Sequence, residues 1–215
     1  MQAYIDMKLT GDIRYNFDVF VLDQYFNDIT VFVRGGRFVD CGAFDGDTVE
    51  EYIRWSEGTC KGIVALEPDA QNYEQLKKRV SSYQFPIETY PVGVWSEADT
   101  LHFQIDGWQS THVDARGGTD VRVEALDHLL SQGADMIKMD IEGSEMHALT
   151  GAQETIRRYH PVLAVSVYHK SEDLITIPQY IKSLETENVK YRLYLRKHSI
   201  FRELELVLYA VPENR

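Results

Sequence analysis

The amino-acid sequence predicts an α/β protein in which helices cover both faces of a mostly parallel sheet. From Arg37 onward, short β-branched runs alternate with segments whose apolar residues recur at spacings of three and four, as is typical of this class. The last two runs have no helical pattern between them, which predicts an antiparallel pair at one edge. Ligands of such folds bind beyond the carboxyl ends of the parallel strands, so the residues at those ends are the first candidates for a site.

Each predicted element follows from its local pattern. The parallel strands are expected at 38–39, 62–66, 136–139 and 162–167, and the antiparallel pair at 191–195 and 204–209. The helices between them are expected at 48–55, 70–81, 144–157 and 173–184. Four strand ends then finish on or beside an ionisable residue: Asp40, Glu67, Asp140 and His169.

Residues 1–36 differ in composition from the rest of the chain and form an aromatic-rich N-terminal segment, called the lead below. Phe17, Phe20, Val21 and Tyr25 recur at helical spacing, which predicts an amphipathic helix over 12–27. The lead is expected to cover a sheet edge, with a role as substrate lid or dimer element as the alternative. Residues 37–215 are expected to form the main domain.

Composition excludes several classes of protein. With 215 residues, of which 44% are hydrophobic and 26% charged, the chain is long enough for one domain with a sizeable core. The 34 acids against 22 bases give a formal charge of −12, which disfavours nucleic-acid binding. Two cysteines, Cys41 and Cys60, cannot build a disulfide scaffold or a four-cysteine zinc site. The absence of a signal peptide and of a long apolar run leads us to expect a cytoplasmic protein.

The turn after the first strand narrows the choice of cofactor. Gly42 and Gly46 permit a tight turn in a G-x-x-x-G spacing, which is neither the dinucleotide fingerprint nor a phosphate loop. A nicotinamide dehydrogenase is therefore disfavoured. Asp40, Asp45 and Asp47 would repel a pyrophosphate but would favour a ligand that carries an ammonium and a sulfonium. S-adenosylmethionine carries both.

The next strand end offers a partner for the ribose of that cofactor. Glu67 lies 27 residues after Asp40, where a carboxylate is expected to accept two hydrogen bonds from ribose hydroxyls. Each feature also has an ordinary structural explanation, because Asp47 could only complement a helix N-terminus and Gly46 could be a simple turn glycine. Together they favour the cofactor interpretation.

A series of motifs in this order resembles the FkbM-type methyltransferases, which are S-adenosylmethionine-dependent enzymes of the Rossmann-like class. The motifs are FVDCGAFDGDT (38–48), ALEPDAQNYEQL (65–76), VGVWSEADTLHF (92–103), IKMDIEGSEMHALTGA (137–152), VSVYHKSEDL (165–174), YLRKHS (194–199) and ELVLYAVP (205–212). The K-x-D-x-E-G-x-E run at 138–145 is the most distinctive of them. The resemblance covers about residues 37–211.

The resemblance implies a seven-stranded sheet with an antiparallel last strand, and O-methylation, commonly of sugar hydroxyls on glycans or natural products. Methyl transfer would convert the cofactor to S-adenosylhomocysteine. On the matching motifs, the residues expected to bind the cofactor are Asp40, Gly42, Ala43, Phe44, Asp45, Gly46, Thr48, Glu67, Pro68, Asp69 and Val94.

Methyl transfer to a hydroxyl also needs a group that handles the hydroxyl proton. His169 is the first candidate for this base, because an ordinary histidine titrates near neutral pH, although an exposed loop histidine would look the same. Asp140 is the second candidate, either as the base or as the residue that binds and orients the acceptor. Lys138, two residues earlier on the same strand face, is expected to form a structural ion pair.

Glu142 and Glu145 are candidates for acceptor binding, together with Trp108. Both glutamates fall where they could simply complement the start of a helix, or they could join Asp140 in a cluster that binds a polyol or a divalent cation. A metal is chemically compatible with these residues, but our expectation is a site without one. Trp108 lies in a polar loop and could stack on a sugar or anchor the loop.

The leading hypothesis is therefore an S-adenosylmethionine-dependent O-methyltransferase that acts on a sugar hydroxyl. An N-methyltransferase on the same fold and a methyltransferase-like binding module in a glycan-modifying assembly are the alternatives. A homodimer or an association with a glycosyltransferase is left open. No transmembrane segment and no nucleic-acid partner are expected.

Overall fold

The computed structural model describes residues 2–12, 14–17, 20–106, 110–113, 119–200 and 205–213. Its strands are β1 Arg37–Cys41, β2 Gly62–Leu66, β3 Ile87–Tyr90, β4 Gly93–Val94, β5 Asp99–Asp106, β6 Ser110–Val113, β7 Thr119–Glu124, β8 Met136–Met139, β9 Val162–Ser166, β10 Tyr191–Lys197 and β11 Leu206–Pro212. Its helices are α1 Gln2–Thr10, α2 Arg14–Phe17, α3 Asp47–Trp55, α4 Ala70–Val80, α5 Leu126–Leu129, α6 Glu145–Thr150, α7 Gln153–Tyr159 and α8 Asp173–Ser183. A short 3-10 helix spans Val31–Val33.

The main sheet has seven strands in the order β10-β11-β9-β8-β1-β2-β3. Strands β3, β2, β1, β8 and β9 are parallel to one another, while β11 is antiparallel to both β9 and β10. The predicted mostly parallel sheet with an antiparallel last strand is therefore confirmed. The last strand does not lie at the edge itself, because it inserts between β9 and β10.

The central strands are buried on both faces, as a parallel sheet covered by helices requires. Alternate residues of β1 face opposite layers: Val39 packs in one cluster with Ala148 and Ile177, whereas Phe38 packs in the other with Tyr52. These two apolar layers cover the two faces of the sheet. The loops that follow β1, β2, β8 and β9 lie at its carboxyl edge.

A second, four-stranded sheet has the order β4-β7-β5-β6 and was not predicted. Its apolar core is small, with Val121 and Val123 buried against Trp95 and Leu101. A short alternating pattern that buries so few side chains gives a weak signal in the sequence.

The helix predicted at 144–157 is two helices, α6 and α7. They are separated at Gly151, where a Cβ atom would lie 2.0 Å from the backbone oxygen of Trp95. This close approach of two backbones explains both the glycine and the break. The helices predicted at 48–55, 70–81 and 173–184 match α3, α4 and α8 closely.

The continuous helix predicted over 12–27 is wrong, because α2 ends at Phe17 and residues 20–30 are not helical. Side chains hold this stretch in turns: the Asn27 side chain accepts a hydrogen bond from the Ile29 N–H at 2.9 Å. Phe26 then packs on the Phe38 and Trp55 rings, with centroid distances of 5.4 and 5.2 Å. The aromatic spacing therefore reflects anchoring on the sheet and not helical periodicity.

The lead joins the edge of the main sheet at Phe20 and Val21. Phe20 forms a single parallel bridge with Lys197 of β10, and the Val21 N–H donates to the Lys197 carbonyl at 3.0 Å. Within the part of the chain that the structure describes, no helix has the length and apolar character needed to span a membrane.

Candidate active site

A cavity of about 620 Å³ opens at the carboxyl edge of the main sheet, beside the ends of β1, β2 and β8. This is the place where ligands bind in folds of this architecture. Seven of the predicted cofactor residues line it: Gly42, Phe44, Thr48, Glu67, Pro68, Asp69 and Val94. Asp140 and Glu142 line it as well.

The turn between β1 and α3 is shaped by close backbone packing. Gly42 has a φ of +79°, and a Cβ atom there would lie 2.1 Å from the Asp140 backbone oxygen. The N–H groups of Gly42 and Ala43 both donate to the Leu66 carbonyl, at 3.1 and 3.0 Å. The turn is thus pinned to the end of β2, with Gly42 at the cavity surface and Ala43 buried behind it.

Four predicted cofactor residues, Asp40, Ala43, Asp45 and Gly46, are absent from the cavity lining in the described part of the chain. Asp45 turns away to form an ion pair with Arg79, whose Nε also donates to the Asp45 carbonyl at 2.9 Å. Gly46 has a φ of +89° and begins α3, where a Cβ atom would lie 2.8 Å from the Leu76 side chain. These residues stabilise the turn without lining the cavity.

Asp40 is fully buried and forms an ion pair with Lys138, at 2.9 Å between Oδ1 and Nζ. Lys138 also donates to the Gly42 carbonyl at 2.7 Å. Burial raises the pKa of Asp40 to about 6, against the opposing effect of the Lys138 charge. The structural ion pair predicted for Lys138 is confirmed, and its partner is Asp40.

Glu67 presents a carboxylate that backbone donors hold in place. Its Oε2 accepts from the Phe44 N–H and its Oε1 from the Asp69 N–H, both at 2.9 Å. Burial raises the pKa of Glu67, and the two N–H donors oppose that effect. Each oxygen retains acceptor capacity towards the cavity.

Asp140 follows β8 and receives two tyrosine hydroxyls. Tyr25 donates to Oδ2 at 3.1 Å and Tyr168 to Oδ1 at 3.2 Å. Burial acts to raise the pKa of Asp140, but the charges of Lys138 and His169 outweigh it and hold the pKa below its usual value. Asp140 is therefore an ionised carboxylate that faces the cavity at neutral pH.

His169 lies behind Asp140 and is not among the described residues that line the cavity. Its Nδ1 lies 2.8 Å from Glu145 Oε1, and its Nε2 lies 3.5 Å from Asp140 Oδ1 and from Glu142 Oε2. Burial alone would lower the pKa of His169, but the hydrogen bond to Glu145 and the surrounding carboxylates raise it.

The three residues predicted to bind the methyl acceptor differ in where the structure places them. Glu142 reaches the cavity from a left-handed backbone conformation, with a φ of 54°. Glu145 is completely buried and accepts a hydrogen bond from the Ile141 N–H at 3.0 Å, so it does not reach the cavity. Trp108 lies outside the described residues.

Sequence reasoning missed several residues of this site, above all Tyr25, Gln24 and Tyr168. Tyr168 is adjacent to His169 and could have been found as a strand-end residue. Tyr25 could not, because 115 residues separate it from Asp140 in the sequence. Its spacing from other aromatic residues also placed it in the predicted helix over 12–27.

The charge of the cavity fits a cationic cofactor with hydroxyl groups. Six carboxylates line it, those of Asp47, Glu67, Asp69, Asp140, Glu142 and Glu205. Lys138 is the one lysine or arginine among its described lining residues, and Asp40 already pairs with it. Gly42 lines the cavity, and the Asp140 backbone oxygen excludes any side chain at this position. A sulfonium, an ammonium and a ribose diol suit such a surface.

Strand order and cavity together define a Rossmann-like domain with a ligand site at the carboxyl edge of its sheet. The family model "Methyltransferase FkbM domain" matches residues 40–198. The chain therefore belongs to the FkbM methyltransferase family, whose domain is S-adenosylmethionine-dependent.

Solved structures agree with this family. Methyltransferase FkbM from Methylobacillus flagellatus KT is 28% identical, with a TM-score of 0.80 over 97% of this chain and 52% of that protein. The chain thus spans about half the length of that relative. An rRNA methylase from Streptococcus thermophilus shares the fold at 15% identity, with a TM-score of 0.53 over 85% of this chain and 89% of that one. Among curated protein sequences, none matches significantly.

Proposed function

We propose that this methyltransferase transfers the methyl group of S-adenosylmethionine to a hydroxyl oxygen of a neutral, polyhydroxylated acceptor, with a sugar as the favoured class. The observation that carries the proposal is the ionised carboxylate of Asp140, which faces the cavity at the end of β8. The acidic lining supports a neutral acceptor, because an anionic one would be repelled by it. Hydroxyl groups can donate hydrogen bonds to several of these carboxylates.

In this proposal the cofactor is held by the predicted residues that line the cavity: Gly42, Phe44, Thr48, Glu67, Pro68, Asp69 and Val94. Glu67 would accept hydrogen bonds from the ribose hydroxyls, since backbone N–H groups already fix its carboxylate. Asp40, Ala43, Asp45 and Gly46 would support the turn without touching the cofactor. The bound sulfonium supplies an activated methyl group.

The proton of the acceptor hydroxyl would be handled by Asp140. Its carboxylate accepts the hydrogen bond of the hydroxyl, orients the oxygen and receives the proton as the oxygen reacts. Tyr25 and Tyr168 hold this carboxylate from both sides, which fixes its direction. His169 becomes a positioning residue that acts through Asp140, because the imidazole lies behind the carboxylate. Positioning of the reactants contributes up to about 7–11 kcal/mol in well-aligned cases, and a base about 10²–10⁴-fold.

Methyl-transfer screening against extracted neutral cell glycans, with anionic nucleotide sugars as the contrasting class and a mass readout of the product, tests the acceptor class. A methylated hydroxyl on a sugar is the expected product. Methylation of an amine, with turnover retained in Asp140→Asn, would instead favour the N-methyltransferase alternative. Association with a glycosyltransferase or a second copy, and a cytoplasmic location, stay predictions of the sequence.

A further inference from the structure

We propose that Asp140, Glu142 and His169 bind a divalent metal ion at the acceptor end of the cavity, with Glu145 orienting the histidine. This inference deepens the proposed function and rests on it, because the ion would lie beside the position expected for the acceptor hydroxyl. It departs from the metal-free site expected from the sequence. The side-chain ligand atoms of Asp140, Glu145 and His169 lie within 4.8 Å of one another.

The first step of the argument is the state of the His169 ring. Glu145 is completely buried, and its Oε1 lies 2.8 Å from His169 Nδ1. A carboxylate can only accept at this distance, so Nδ1 carries a hydrogen and donates it. Metal-binding histidines commonly donate their second nitrogen to a carboxylate in this way, which leaves the other nitrogen free for the metal.

The second step is the nitrogen that remains. Among the described residues, His169 Nε2 has no hydrogen-bond partner, and the histidine side chain is only 9% exposed. Nε2 lies near two carboxylate oxygens, Oδ1 of Asp140 and Oε2 of Glu142. A buried ring nitrogen that faces two carboxylate oxygens needs a positive charge there, which either a proton on Nε2 or a metal ion would supply.

The distances favour a metal ion over a hydrogen bond. Both gaps from Nε2 are 3.5 Å, longer than the ordinary N–H···O range of about 2.7–3.2 Å. Nitrogen and oxygen ligands at about 2.0–2.2 Å from one ion are themselves about 3.0–3.5 Å apart at angles of about 90–110°. The distance from Nε2 to each oxygen therefore matches the distance between two ligand atoms of one metal ion.

The ligand types indicate the class of ion. Two carboxylate oxygens and one imidazole nitrogen suit a divalent ion that accepts both, and Mn²⁺ is the natural probe. Glu145 retains a second oxygen, Oε2, that has no hydrogen-bond partner among the described residues and adds negative charge behind the histidine. Asp140 and Glu142 line the cavity whereas His169 lies behind them, so the open coordination positions would face an acceptor. Coordination would lower the pKa of a bound hydroxyl.

Binding of Mn²⁺ to the metal-stripped full chain, followed by electron paramagnetic resonance and calorimetry without cofactor or acceptor, tests the site. We expect one bound ion per chain. His169→Ala should weaken binding at least about 100-fold, and Glu145→Gln about 10–100-fold through loss of histidine orientation. The matched control is His128→Ala, because His128 Nδ1 pairs with Glu124 Oε1 at 2.9 Å on the surface, away from the cavity. This control should bind Mn²⁺ like the parent.

Two results would overturn the site: no binding up to millimolar Mn²⁺ by the folded parent chain, or equal binding by the parent, His169→Ala and Glu145→Gln. Circular dichroism shows whether each variant is folded, and Glu145→Gln keeps an oxygen acceptor if His169→Ala fails to fold. Because the measurement needs neither cofactor nor acceptor, it is independent of the proposed reaction. Methyl transfer by chelator-treated enzyme that binds no Mn²⁺ would reject the metal site and leave the proposed function intact.

Discussion

Asp40 and Asp140 both lie at the carboxyl edge of the main sheet, near the ends of neighbouring strands, but have opposite surroundings. Asp40 lies on β1, directly beside Lys138 of the neighbouring strand β8, and Asp140 follows β8 at the same carboxyl edge. Asp40 is sealed from the cavity and its pKa is raised to about 6, whereas Asp140 faces the cavity and its pKa is lowered. The comparison shows that a position at a strand end brings a carboxylate near the ligand cavity. The residues around that carboxylate then decide whether it stabilises the fold or takes part in binding and catalysis.

The largest expected effect comes from breaking the buried pair. Asp40→Ala would leave the Lys138 ammonium buried with its main counter-charge removed, which costs about 3–5 kcal/mol of unfolding free energy. Urea denaturation measures this loss. The double variant Asp40→Val with Lys138→Met should recover most of it. A loss below about 1 kcal/mol in the single variant would show that Lys138 has another adequate partner.

Asp140→Asn should act on turnover and leave the fold in place. Removal of the ionised acceptor is expected to lower the rate of methyl transfer about 100-fold or more, equivalent to about 2.7 kcal/mol. Affinity for S-adenosylmethionine, measured by calorimetry, should change less than about threefold. Unchanged turnover with a confirmed hydroxyl acceptor would remove Asp140 from the proposed mechanism.

Glu67→Gln tests the cofactor side of the cavity. One charged acceptor is replaced by an amide that can no longer accept on both sides, so cofactor affinity should fall about 10–100-fold, or about 1.4–2.7 kcal/mol. Turnover at saturating cofactor should stay within a few-fold of the parent. Glu57→Gln is the control, because that carboxylate pairs with Arg34 on the surface. Equal affinities in the two variants would contradict the ribose assignment.

Asp173 extends the comparison to a third buried carboxylate. Burial and the charge of Glu145 raise its pKa to about 6, above the unfolded value of about 3.9. A raised pKa means that its contribution to stability is present below about pH 4 and is lost as the pH rises through about 6. Asp173→Asn does not titrate, so relative to the parent it should gain about 2 kcal/mol between pH 4 and pH 7.

The measurement is urea denaturation of both chains across that pH range. The informative quantity is the difference between parent and variant, because other carboxylates titrate in both. A difference that stays constant with pH would show that Asp173 is solvated like an ordinary carboxylate.

Much of the architecture could be predicted because it depends on local patterns. The buried runs of β1, β2, β8 and β9 and the apolar spacing of α3, α4 and α8 are periodic over single elements. The small second sheet and the break between α6 and α7 were missed. The first buries few side chains, and the second depends on the approach of Trp95 to Gly151, which are 56 residues apart in the sequence.

The sequence alone determined the parallel sheet, the glycine turn after β1 and the series of acids at the strand ends, because strand periodicity and glycine geometry are local properties of the chain. Only the tertiary structure decided which acids reach the cavity. Lys138 neutralises Asp40, Arg79 draws Asp45 away and His169 engages Glu145. The lead likewise delivers Tyr25 to Asp140 across 115 residues. Desolvation and pairing depend on neighbours in space, which the order of residues does not contain.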